Sequence, residues 1–156
     1  MSNLPPLIAA QITDAIILIR RTPGYESIAQ ELAQLLADGK IRYLPGLGDR
    51  AHAGLLGTIT LGDEPFAMGS ALGLAETLVH ERFHRHQNPL EKTVSFWGGV
   101  LTRNDPMARY EKPAYQAAHD FLVAYARAFP DDAGAANEER LAVAATFATA
   151  YGDTLA

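Results

Sequence analysis

The chain has no cysteine. A disulfide framework is excluded, and any metal site must be built from histidine and carboxylate rather than thiolate. The absence fits a reducing compartment. Basic runs are missing as well: 13 Lys and Arg stand against 18 Asp and Glu, a formal net charge of −5 at pH 7. With no cationic stretch able to track a phosphate backbone, neither nucleic acid nor an anionic membrane is expected as a partner. Long apolar runs are also lacking. The most aliphatic stretch, Leu7 to Ile19, carries Gln11 and Asp14 inside it, with no basic residue before it and no small-residue cleavage site. It fits neither a signal peptide nor a bilayer span, and a cytoplasmic location is expected.

What is present suits one globular unit. Apolar residues make up 48% and charged residues 20% of 156 residues, enough to bury a single core without staples. No repeat, low-complexity tract or linker divides the chain, so residues 1–156 are expected to form one domain.

Ile8, Ile12, Ile16 and Ile19 form a helical stripe behind Pro5 and Pro6. A second helix is expected from Tyr25 to Asp38, with Ile28, Leu32, Leu35 and Leu36 on its apolar face and Gly39 as C-terminal cap. Residues 41–44 (IRYL) and 56–61 (LGTITL) are short and rich in strand formers. They predict a small antiparallel element, a hairpin with a glycine-rich connection through 45–55. From Ser70 onward the pattern is helical. One helix covers 70–87 and stops at Asn88-Pro89, which also opens the next, with Asn88 as cap and Glu91 three residues on. That helix ends near Thr102; after a turn at 103–106 another runs to Phe129. A last helix spans Asn137 to Tyr151 and closes at Gly152. The fold class expected is α+β, mostly helical.

Residues 80–84 read HERFH. Side chains four apart lie one turn above each other on a helix, so His80 and His84 can bind one Zn²⁺ without distorting the backbone. Glu81 is rotated by about 100° around the axis. It can reach a water on the metal without being a ligand, which suits a general base. On a helical wheel the two histidines share a stripe with the small residues Gly73 and Thr77. Leu72, Val79 and Phe83 lie on one flank, and Leu74 and Leu78 on the other. Such a helix is buried, with its polar stripe facing a cleft. The alternative is that both histidines are core residues and Glu81 a surface carboxylate.

The stretch LVHERFHRHQ resembles the active-site helix of zincin metallopeptidases, including the aliphatic pair before the first histidine. Arg82 and Arg85 depart from the family, where these positions are usually uncharged; on the wheel both point away from the His80/His84 stripe. A catalytic zinc site needs a third protein ligand and leaves its fourth position for water. The metzincin pattern fails, because Gln87 and Leu90 stand where it requires glycine and histidine. The gluzincin pattern takes a glutamate from a later helix, and Glu111, in RYEKPAYQAAHDF, is the choice. It lies 27 residues after His84, far enough for one intervening helix to turn the chain back. Pro113 is tolerated in a first turn, which places the start of that helix near Glu111. Asp105, His119 and Glu91 are the other candidates. The resemblance, to gluzincin-like and related small bacterial metallopeptidase domains, covers roughly residues 56–128. It implies a minimal zincin-like domain in which the strand 58–61 edges the cleft and pairs with extended substrate.

Tyr110, Tyr115 and His119 could donate a hydrogen bond to an oxyanion formed at the carbonyl. His86 is expected at the surface, His52 has no assigned role, and Trp97 with Phe96 and Val100 is expected in the core. The reading is thus a Zn²⁺-dependent metallopeptidase acting on a peptide or protein, with His80, His84 and Glu111 on the metal and Glu81 as base. The alternative is a non-catalytic zincin scaffold for binding or regulation. Its zinc would be structural, with His119 or Asp120 as a fourth ligand.

Overall fold

A computed structural model describes residues 4–47, 51–53, 57–67, 69–87 and 107–156, residues 51–53 by their backbone only. Helix α1 spans Pro6–Arg21. Its prolines stand where amides have no helical partner, so they cost no hydrogen bond. Ile12, Ala15, Ile16 and Ile19 are buried, while Ile8 is half-buried. Helix α2, Glu26–Ala37, buries Ala29, Leu32 and Leu35, with Ile28 and Leu36 flanking this face. It ends as expected at Gly39, with φ +68°, a backbone region that favours glycine. The Gly39 amide bonds Leu36 O at 3.1 Å and the Lys40 amide bonds Leu35 O at 2.8 Å, a Schellman closure. The chain leaves it directly into strand β1, Ile41–Tyr43.

Strands β2 (Ala51–Ala53) and β3 (Ile59–Leu61) complete a sheet of order β1-β3-β2. The expected hairpin is corrected here. β1 pairs with β3 in parallel, Ile41 opposite Ile59 and Tyr43 opposite Leu61. The antiparallel partner of β3 is β2, from within the stretch expected to be connection. About fifteen residues separate β1 from β3, more than the dozen a parallel crossover needs, and β2 is formed on the way. β3 therefore lies in the middle of the sheet and not at the cleft edge expected of it; among the described residues β1 and β2 hold the outer positions.

A short helix α3, Glu64–Ala67, precedes α4, Ala71–His86, within a residue of its expected bounds. Ser70 caps α4, its hydroxyl accepting the Gly73 amide at 3.2 Å. Leu72, Leu74, Ala75, Leu78 and Val79 are buried, so α4 is apolar on both flanks of its polar stripe. It packs against α1 on one side, the sheet on another, and on a third against α5, Ala108–Ala128.

Helix α5 starts three residues before Glu111, which moves Pro113 from the expected first turn into the second. There it withholds an amide from the carbonyl of Arg109, a residue at the surface where water can serve that carbonyl. After a 3₁₀ turn at Pro130–Asp132, α6 covers Ala133–Tyr151, beginning four residues before the expected Asn137 and closing at Gly152. Phe147 is fully buried and holds α6 on α5, while Leu141 is 59% exposed. The molecule is thus mostly helical with one small sheet. Among the described residues no helix is long and apolar enough to cross a membrane. The expected helix 89–102 with its Asn88 cap, the turn at 103–106, and Glu91, Phe96, Trp97, Val100 and Asp105 lie outside the described residues.

Candidate metal centre

His80 and His84 lie on the stripe of α4 that faces the first turns of α5, where Glu111 sits. Their donor atoms meet. His84 Nε2 is 3.0 Å from His80 Nε2 and 2.9 Å from Glu111 Oε2, and His80 Nε2 is 3.5 Å from the same oxygen. Zinc bonds of about 2.0–2.1 Å at tetrahedral angles set donor separations near 3.3 Å. The three observed separations match three edges of such a tetrahedron. Two imidazole nitrogens and one carboxylate oxygen also form a donor set that zinc takes readily. The residues present therefore fit the ion. Among the described residues they are the one group of three or more potential ligands, and neither His119 nor Asp120 joins it.

The electrostatics follow from this convergence. Burial alone would raise the Glu111 pKa, but hydrogen bonds and charge from His80 and His84 hold it down to about 2. Burial pulls His84 the other way, toward neutrality; its bonds to Glu111 and Gln87 overcome this and leave its pKa above the ordinary 6.5. A metal ion bound at this nitrogen would have to compete with the proton.

The His84 ring is held on three sides. Tyr110 stacks on it, with centroids 4.7 Å apart and planes within 14°. Glu111 faces Nε2, and the Gln87 amide oxygen lies 2.6 Å from Nδ1. Tyr115 meets His80 edge to face at 4.7 Å and rests on Phe147 and Tyr151, so α6 supports the site through these aromatic contacts. Glu81 is 4% exposed and lies close enough for its charge to raise the His84 pKa. Glu81 is therefore not the surface carboxylate of the alternative reading.

His119 is buried one turn beyond Tyr115, but its Nε2 lies 3.3 Å from the Arg140 guanidinium, which is its hydrogen-bond donor. His52 falls in β2. Arg82 and Arg85 do point away from the histidine stripe. They bond Glu31 of α2 at 2.8 and 2.6 Å, and His86, half-exposed, bonds the same carboxylate at 2.7 Å. Arg85 also donates to Gly57 O at 3.0 Å, where φ of +70° and a Cβ position 3.3 Å from the guanidinium suit glycine alone. The charged departures from the zincin pattern tie α4 to α2 and to the entry of β3.

Two features escape a reading by motif. Gln87 touches both His84 and Tyr110, and its only signal is a spacing of three from His84. Glu76, one turn before His80, has its pKa pushed up to about 8 by burial first and by Glu139 second, Thr77 opposing. Glu139 lies across α4 at Gly73, 3.4 Å from where a Cβ would stand, so this small residue admits a carboxylate from α6. Nothing local in the sequence pairs these two acids. Comparison with known proteins finds no matching family model, no matching curated protein and no matching solved structure.

Proposed function

We propose that the protein is a zinc-dependent metallopeptidase of the zincin type, with peptides or proteins as substrate. One observation carries the reading: two histidines of one helix and a glutamate 27 positions later bring their donor atoms within 3.5 Å of one another. Next to His80 in the chain stands Glu81, a buried glutamate that the HExxH pattern makes the general base. His80, His84 and Glu111 would hold the ion. When bound, Zn²⁺ lowers the pKa of water and polarises a carbonyl.

The chain's own groups supply the rest. Glu81 accepts the proton of the attacking water on its carboxylate and returns it to the leaving amine, so the group ends as it began. Its 4% exposure keeps bulk water from competing for that proton. Tyr115, whose ring meets His80 edge to face, is the candidate hydrogen-bond donor to a developing oxyanion. An extended peptide would add its main chain to the outer side of β2, which packs beside α4 and, among the described residues, pairs only through β3.

Untagged protein is expected to carry one zinc per chain by mass spectrometry, lost in His80→Ala. On a peptide library, Glu81→Gln is expected to keep the zinc and lose about 10²–10⁴-fold in rate. Full activity in Glu81→Gln would sink the mechanism, and a zinc-free wild type would sink the site.

A further inference from the structure

Imidazole offers a metal one nitrogen only if its proton resides on the other, and free histidine does not hold it there firmly. Neighbours that accept this second proton fix the ring and its basicity. The atom that takes the proton of His84 is identifiable. His84 Nδ1 lies 2.6 Å from the side-chain oxygen of Gln87. A glutamine amide can be turned either way, with nitrogen or oxygen toward its neighbour. Here the second contact decides. The Gln87 nitrogen lies 2.9 Å from the main-chain carbonyl of Tyr110, which can only accept. The NH₂ must face Tyr110, so the oxygen must face His84. Nδ1 then has to carry a hydrogen, and Nε2 is the atom turned to His80 and Glu111.

The holding is rigid. Gln87 is the first residue past α4, in an extended conformation, and its own amide bonds the His84 carbonyl at 3.1 Å. It therefore grips His84 by main chain and side chain together. Tyr110 works in two places as well: its carbonyl orients the glutamine, and its ring lies flat on the imidazole. Because Tyr110 immediately precedes Glu111, the Gln87 bridge also joins the ligand-bearing end of α4 to the ligand-bearing start of α5. A glycine at position 87, as in the metzincin pattern, would keep only the main-chain bond to the His84 carbonyl.

We infer that Gln87 is a positioning residue that holds the proton of His84 on Nδ1 and thereby sets the affinity of the His80–His84–Glu111 site for zinc. The inference rests on the zinc reading for its second half only. The proton on Nδ1 follows from two contacts that involve no ion, the Gln87 oxygen at Nδ1 and the Gln87 nitrogen at the Tyr110 carbonyl.

The test is nitrogen NMR of ¹⁵N-histidine-labelled, metal-free protein, beside zinc affinity by chelator competition, for wild type, Gln87→Leu and Gln87→Glu. In wild type a slowly exchanging proton is expected on His84 Nδ1. Gln87→Leu, without an acceptor, is expected to lose that signal and bind zinc about 10–100-fold more weakly. Gln87→Glu keeps an oxygen toward Nδ1, while its second oxygen cannot bond the Tyr110 carbonyl and must turn from it, so the signal should survive and zinc should bind more tightly than in Gln87→Leu. A merely structural role would not separate the two variants. Wild-type His84 protonated on Nε2 alone overturns the inference before any variant is made. So does a Gln87→Leu protein that binds zinc within twofold of wild type, or a Gln87→Glu protein that falls as far as Gln87→Leu. A wild type that takes up no zinc yet shows the Nδ1 proton would overturn the affinity half and the metallopeptidase reading together, and leave the tautomer assignment standing.

Discussion

Adding zinc to metal-free protein should raise its melting temperature by an amount the structure allows to be worked out. Without the ion, the three donors already satisfy one another, His84 Nε2 lying 2.9 Å from Glu111 Oε2. The metal-free chain is therefore expected to fold, and zinc to add to an existing stability. At free zinc 100-fold above its dissociation constant, linkage gives about 2.7 kcal/mol. For a chain of this size each kcal/mol moves the midpoint by about 2–4 °C, so the expected rise is about 5–11 °C. His80→Ala removes one of three ligands. If that weakens binding 100-fold, the same zinc supplies about 0.4 kcal/mol and a rise of about 1 °C. His86→Ala serves as control, because His86 bonds Glu31 on another face of the helix and should keep the full rise. Differential scanning fluorimetry of untagged protein, titrated with zinc against a chelator, reads all three. A wild type with no zinc-dependent shift, or a His80→Ala protein that shifts as much as wild type, refutes the reasoning.

Zinc affinity should depend on pH with a definite sign. His84 holds its proton to a pH above 6.5 in the metal-free protein, so binding strengthens by about tenfold per pH unit up to that raised value and levels off beyond it. The protonated His84–Glu111 pair stabilises the metal-free fold fully below 6.5 and is lost as pH rises through the His84 value, so melting curves with and without zinc should diverge toward alkaline pH. Phe147→Ala empties a fully buried site between α5 and α6 and should cost about 3–5 kcal/mol in urea denaturation, more than a surface truncation such as Leu141→Ala can. Glu31→Ala leaves Arg82, Arg85 and His86 without their shared carboxylate; these groups are only partly buried, so the loss should be about 1–2 kcal/mol, with zinc content unchanged.

What the sequence made legible was set by local periodicity. The stripe of Ile12, Ile16 and Ile19, the glycine after α2 and the close of α6 at Gly152 each depend on neighbours within a turn or two. Strand pairing does not. IRYL and LGTITL were recognisable as strands, yet their direction depends on where the intervening chain travels, and β2 inside that connection gave no composition signal of its own. Helix starts slipped for a similar reason. Pro113 marks a position that a first turn tolerates, but the surface position of Arg109 lets the second turn tolerate it too, and the helix starts at Ala108.

The candidate site divides along the same line. His80, Glu81 and His84 are one helix face, and spacing alone places them. Glu111 needed the assumption that the chain returns, and the geometry that brings it 2.9 Å from His84 comes from packing between α4 and α5, with small Ala114 and Ala118 at zero exposure in that helix. Gln87 was visible only as the residue that broke another family's pattern. Its role needs a second contact, a main-chain carbonyl of Tyr110, and any residue type could have supplied that carbonyl. A group that acts through backbone leaves no letter in the sequence. The charged residues of HERFHRH invert this logic. Arg82 and Arg85 looked foreign to a metal-binding helix, because the motif describes one face and the cations serve another, where Glu31 gathers them against α2. A pattern drawn from one face of a helix carries no information about what the opposite face must hold, and in this chain the opposite face ties α4, and with it His80 and His84, to α2.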